Sequence, residues 1–188
     1  YEGYPASVCI SINDEVVHGI PGNRVIKDGD IVSVDLVISY KGYHADATRT
    51  YIIGDVPDDV RDLVENTKEA FYAGVACVKE GARIRDISRE IERYAQAHGI
   101  SVVEELVGHR IGSSEHEEPD VPNFDDNNMT KLKAGMTIAI EPMLNLGSKK
   151  VYLEDDDWTV RTMDGKPSAH YENTVLVTKD LYEILTGE

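Results

Sequence analysis

Two stretches of the chain repeat one design, and nothing else restricts its fold as strongly. Ile26-Lys27-Asp28-Gly29-Asp30-Ile31-Val32-Ser33-Val34-Asp35 and Leu132-Lys133-Ala134-Gly135-Met136-Thr137-Ile138-Ala139-Ile140-Glu141 each run from a basic turn with glycine into an apolar strand that ends on an acid. A second pair follows in the same order. Asp46-Ala47-Thr48 leads toward Tyr51-Ile52-Ile53, and Glu172-Asn173-Thr174 into Val175-Leu176-Val177. This duplication predicts two half-domains related by a pseudo-twofold axis, with Asp35, Asp46, Glu141 and Glu172 brought together between them. Acids buried at strand ends are costly unless paired or bound to a cation. Four converging carboxylates repel one another, and divalent cations resolve that conflict.

The rest of the chain fits a sheet with helices on one side. Residues 8–12 read as a strand, Gly19-Ile20-Pro21-Gly22 as a turn, and Ile31 to Ser39 with Thr48 to Ile53 as a hairpin closed at Lys41-Gly42. Asp58 looks like an N-cap. Val60, Leu63, Val64, Thr67, Phe71, Val75 and Val78 then recur at helical spacing up to Gly81. Ile84, Ile87, Ile91, Tyr94 and Ala95 predict a second amphipathic helix ending at Gly99. Further strands are expected at Ser101–Val107, Thr137–Leu144, Trp158–Thr162 and Asn173–Val177, and a loop at Asp125-Asp126-Asn127-Asn128. The fold class is α+β, with a mostly antiparallel sheet and two long helices on one face.

At 188 residues the chain fits one domain with a sizeable core. Its 35 acidic against 19 basic residues give a net charge of −16, which argues against phosphate-backbone binding as the main activity. Cys9 and Cys77 stand outside any CxxC pattern, so neither a disulfide framework nor a structural zinc site is expected. A reducing, cytoplasmic setting follows. No apolar run reaches the roughly 18 residues of a membrane span, and no signal-peptide pattern is visible.

An imidazole candidate for the carboxylate cluster is His109 in Val107-Gly108-His109-Arg110-Ile111-Gly112, where glycine permits close backbone approach. Oxygen-rich sites with one imidazole suit Mn²⁺, Fe²⁺ or Co²⁺, and two such ions can hold a hydroxide between them as nucleophile. Singly, each residue has a plainer reading: Asp46 and His18 as turn residues, His109 as a core histidine, Glu172 as an exposed strand acid. His44 and His98 read as surface residues. The set carries more weight than its members, because duplication pairs four of them.

The motifs then resemble a known family. Tyr4-Pro5-Ala6-Ser7-Val8-Cys9-Ile10-Ser11-Ile12-Asn13, Val17-His18-Gly19-Ile20-Pro21, Gly29-Asp30-Ile31-Val32-Ser33-Val34-Asp35, Gly42-Tyr43-His44-Ala45-Asp46, Gly108-His109, His116-Glu117-Glu118-Pro119, Ile140-Glu141-Pro142-Met143 and Tyr171-Glu172-Asn173-Thr174-Val175 are similar, in this order, to type I methionine aminopeptidases. That resemblance implies the pita-bread fold: a pseudo-twofold, mostly antiparallel curved sheet covered by helices on one face. It implies removal of the initiator methionine from nascent proteins and peptides, with cleavage by a hydroxide bridging two divalent metal ions (Mn, Co or Fe).

By position, Asp35 resembles the chelating ligand of one metal and receives the substrate amine beside it. His109 and Glu141 resemble ligands of the other, and Asp46 and Glu172 bridges. Glu141 would shuttle the proton, His116 stabilise the oxyanion and His18 orient the penultimate amide. Tyr4, Cys9 and Trp158 match walls of the methionine pocket, and Asn13 and Ser168 surround a monovalent cation in some members. The partners implied are nascent polypeptide N-termini near the ribosome, with no nucleic acid and no membrane. The chain would be a monomer unless another chain covers its front.

Four departures from the family pattern stand out. Arg110 replaces a glycine, Asn173 a histidine, and Glu115 an apolar residue lining the pocket just before His116. Residues 1–188 are expected to form a single catalytic domain; the resemblance implies that about sixty residues normally precede Tyr1, and their loss would open a sheet edge. Two other readings are an Xaa-Pro peptidase of the same fold and a non-catalytic binding relative.

Overall fold

The computed structural model describes residues 3–187. In chain order its elements are β1 (Cys9–Ile12), β2 (Glu15–Val17), β3 (Ile31–Tyr40), β4 (Tyr43–Ile52), α1 (Asp58–Val75), α2 (Ile84–Ala97), β5 (Ser101–Val102), β6 (Gly108–Arg110) and β7 (Glu117–Val121). Then follow β8 (Thr137–Ile140), β9 (Met143–Asn145), β10 (Val151–Leu153), β11 (Val160–Thr162), β12 (Ser168–His170), β13 (Glu172–Val177) and β14 (Tyr182–Ile184).

The main sheet has the order β1-β3-β4-β13-β8-β6-β7, with β14 added to β13. Every pairing in it is antiparallel. Small sheets β10-β11-β2 and β12-β9-β5 flank it. The duplicated units lie side by side in the order β3-β4-β13-β8, so the expected pseudo-twofold falls between β4 and β13. The matched threonines cross that seam. Thr48 donates to the Glu172 carboxylate at 2.8 Å. The Thr174 hydroxyl accepts from the Asp46 N–H at 2.8 Å and donates to the Asp46 carbonyl at 3.0 Å.

Helices α1 and α2 pack mainly over the β13–β8 half of this sheet and reach the other half at Ile31 and Ile52. Leu63, Phe71, Val75, Ile84, Ile87 and Ile91 pack with Ile138, Ile140, Val175 and Val177 into the main core. Gly74 marks where the helices touch, because a Cβ there would fall 2.6 Å from the Ile91 side chain. A smaller cluster of Val16, Val17, Val103, Met143 and Val160 lies under the flanking strands.

Several boundaries differ from the sequence expectation. Pro57, not Asp58, is the N-cap of α1, and Asp58 and Asp59 occupy its first turn, where acids suit the helix dipole. That helix ends at Val75, ahead of Gly81. The strand expected over Thr137–Leu144 breaks at Glu141-Pro142 into β8 and β9, since proline has no N–H for the ladder. Ser101–Val107 keeps only Ser101–Val102. The Trp158 strand begins at Val160, because the Asp156 carboxylate holds the Trp158 and Thr159 amides in a turn. Asp35 sits in the middle of β3, which runs on to Tyr40, whereas Glu141 lies just past the end of β8.

Candidate metal centre

Strand register alone puts most of the expected site on one face. Paired residues across an antiparallel ladder share a face, and so do residues two apart along a strand. Cys9 pairs with Asp35, Asp35 with Thr48, and Thr48 with Glu172. Asp46 is two residues from Thr48, and Thr174 two from Glu172. Thr174 pairs with Ala139, and Ala139 with His109. Cys9, Asp35, Asp46, Glu172 and His109 therefore all project from the same side. Gly108 permits the approach of β6, since a Cβ there would lie 2.4 Å from the Ala139 carbonyl oxygen.

Asp46, His109 and Glu172 are buried, and one ligand atom from each lies within 4.8 Å of the other two. His109 Nε2 is 3.9 Å from Asp46 Oδ2 and 3.6 Å from Glu141 Oε1. Its Nδ1 lies 3.0 Å from the Arg110 carbonyl, which accepts a hydrogen bond and so selects the tautomer with a lone pair on Nε2. Asp35 and Glu141 join the wall of the same cavity, of about 770 Å³.

The donor set fits divalent cations. Asp46 Oδ1 and Glu172 Oε1 are buried without a hydrogen-bond partner, which is costly for an acceptor. Burial, with the Asp35 and Glu141 charges behind it, pushes Asp46 up to about 9. Burial likewise raises Glu141 and Glu172 far above the usual carboxylate range and lowers His109 to about 4. Without a cation Asp46 holds a proton at neutral pH, and a bound cation takes the place of that proton.

The other expected residues line the same cavity. The His116 ring centroid is 4.2 Å from that of His109. His18 has φ +58°, an uncommon left-handed setting for a non-glycine residue, and burial lowers its pKa. Tyr4 and Trp158 meet edge to face at 5.2 Å, and the Tyr4 hydroxyl donates to the Gly19 carbonyl at 2.8 Å. Cys9 is a free thiol, raised to about 11 by burial. Glu115 sits on this wall with Oε1 4.0 Å from His116 Nδ1, and burial raises its pKa.

Asn13 and Ser168 adjoin through a Ser168 N–H to Asn13 carbonyl bond of 2.9 Å. Arg110 pairs with Glu117 at 3.3 Å, and Asn173 accepts from Arg49 at 2.7 Å.

Two further histidines of the site lie outside the sequence expectation. His44, taken as a surface residue, lines the cavity; its spacing of two from Asp46 on one strand was the available signal. His170 is buried with Nε2 3.5 Å from Glu141 Oε2. It stands two residues before Glu172 but on a separate strand, so period-two reasoning did not reach it.

The chain belongs to metallopeptidase family M24, whose model matches residues 1–179. It is 50% identical over 185 residues to a methionine aminopeptidase from Clostridium perfringens, covering 98% of this chain and 74% of that protein. Among solved structures, the methionine aminopeptidase of Thermotoga maritima superposes with a TM-score of 0.98 at 41% identity, over 100% of this chain and 76% of that one. The fold is thus the pita-bread fold. The prolidase of Pyrococcus furiosus shares it at TM-score 0.77 and 24% identity, over 97% of this chain and 49% of that one, a likeness of fold alone.

Proposed function

We propose that this chain is an aminopeptidase that removes N-terminal methionine using two divalent cations held by Asp35, Asp46, His109, Glu141 and Glu172. The observation that carries this reading is one cavity joining a buried carboxylate–imidazole cluster to a pocket walled by Tyr4, Cys9 and Trp158. Divalent cations at such a cluster supply Lewis-acid polarisation and an acidified water. Glu141 stands half-buried beside the cluster and moves the proton from the attacking water to the leaving amine. His116, within ring contact of His109, stabilises charge developing on the carbonyl oxygen. His18 orients the amide beyond the cut, and the Asp35 side receives the free α-amine of the substrate.

Residues 1–188 act as one catalytic domain. The native ion is Mn²⁺, Co²⁺ or Fe²⁺, and Asn13 and Ser168 flank a monovalent cation. The substrates are N-termini of nascent chains near the ribosome, met by a monomer in the cytoplasm. No helix among the described residues is long and apolar enough to cross a membrane.

The test is turnover of Met-Ala and Met-Gly peptides after reconstitution with each ion, beside Xaa-Pro peptides. Methionine release supports the proposal. Cleavage of Xaa-Pro alone would make the chain a proline-specific peptidase, and inertness with an empty site a binding relative.

A further inference from the structure

His170 ends β12, where its backbone is clamped. Its N–H donates to Thr50 Oγ1 at 3.0 Å, and the Thr50 hydroxyl donates to the His170 carbonyl at 2.8 Å. With that one hydroxyl proton used, Thr50 accepts from Ser33 Oγ at 2.7 Å. The ring is therefore held in place from the main chain. It is 2% exposed, and neither ring nitrogen has a hydrogen-bond partner. A buried polar group left unpaired costs about 1–3 kcal/mol, so an imidazole is a poor choice of filler here.

What the ring faces is Glu141. One carboxylate oxygen, Oε1, lies 3.6 Å from His109 Nε2, and the other, Oε2, lies 3.5 Å from His170 Nε2. The carboxylate stands between two imidazoles, one for each oxygen. His109 presents a lone pair on its Nε2, because its Nδ1 proton is committed to the Arg110 carbonyl. His170 has no such commitment, so its Nε2 is free to carry the proton. It does not line the cavity that holds the acids.

We infer that His170 is a positioning residue for Glu141: its Nε2–H holds the oxygen turned away from His109 and so sets how that carboxylate meets a cation. The inference rests on the metal-centre reading above and deepens it. Without the donor, the Glu141 side chain can rotate and lose the geometry needed both for cation binding and for proton transfer.

Titration calorimetry of the full chain with Mn²⁺ and Co²⁺ tests this, comparing the native protein with His170→Leu, His170→Asn and His170→Gln. Leucine fills the space with no donor, asparagine carries a donor that stops short, and glutamine extends an amide toward Glu141. Loss of a partner that orients a ligand weakens metal binding about 10- to 100-fold. That loss is expected for Leu and Asn, with kcat falling and KM unchanged, and with recovery in Gln. Native-like binding by Leu or Asn would overturn the inference, as would equal weakness in all three variants, which marks mere packing. Pulsed electron paramagnetic resonance of the Mn²⁺ form should show one directly bound imidazole nitrogen. A second nitrogen, lost in His170→Gln, would make His170 a ligand and overturn the positioning role. If the native chain binds neither ion, the metal-centre reading itself fails and takes the inference with it.

Discussion

The two halves of the duplicated sheet start from one sequence pattern and end in different surroundings. In the β8–β13 half, Ile138, Ile140, Val175 and Val177 are fully buried beneath α1 and α2. In the β3–β4 half the hairpin end runs past the helices, and Ile38 is 60% exposed beside the exposed Tyr40 and Tyr43. The acids differ as well, within a half as much as between the halves. Burial raises Glu141, Glu172 and Asp46, whereas Asp35, paired with Thr48 across the hairpin and on the same face, is only half-buried. Repeating a strand and an acid therefore does not repeat an electrostatic environment, because desolvation comes from whatever packs behind the strand.

The largest test of this contrast is chemical. Glu141→Ala should lower kcat by about 10²–10⁴-fold, the usual worth of a positioned proton-transfer group, while circular dichroism stays native. His109→Ala should also abolish turnover. Activity surviving either change would sink the site assignment.

Next comes packing. Ile140→Ala, under the helices, should cost about 2–5 kcal/mol, and Ile38→Ala, on the open half, within about 0.5 kcal/mol, both read by urea unfolding. Equal losses would mean that the halves are covered alike.

The pocket offers a smaller effect. Glu115 places a carboxylate on a wall otherwise formed by Tyr4, Cys9 and Trp158. Glu115→Leu should raise kcat/KM for a Met-Ala peptide roughly tenfold, the worth of one well-matched apolar contact. No gain would show that the carboxylate does not meet the substrate side chain.

The gentlest probe is pH. In the metal-free protein Asp46 titrates near 9 when folded, against an ordinary 3.8. Between those values the folded state holds a proton that the unfolded state has released, so stability falls as pH rises. The slope from this group is at most about 1.4 kcal/mol per pH unit. Thermal melts of the metal-free chain from pH 5 to 9 should show it, Asp46→Asn should flatten it, and added Mn²⁺ should reverse it. A native melt as flat as that of Asp46→Asn would refute the burial of that proton.

Much of the site was legible in the sequence because strands have a strict period of two. Once Asp35, Asp46, Glu141 and Glu172 are set on matched strands, pairing brings most of them to one face. His44 obeys the same rule, two residues from Asp46 on one strand. His170 did not follow, since Tyr171 separates β12 from β13 and ends the periodicity. Segment ends were the weaker reading. The breaks at Pro57, at Glu141-Pro142 and at the Asp156 turn depend on proline or on the hydrogen bonds of a single carboxylate, and hydrophobic spacing carries neither.

The sequence by itself determined the α+β class, the duplication, the five candidate ligands and the order in which they come. Those are local or periodic properties, written in residue type and spacing. Only the tertiary structure decided which half lies under the helices, how far each acid is desolvated, and that His170 stands against Glu141. Those facts depend on contacts between segments distant in the chain, and burial at such contacts is what turns a row of acids into a site that calls for cations.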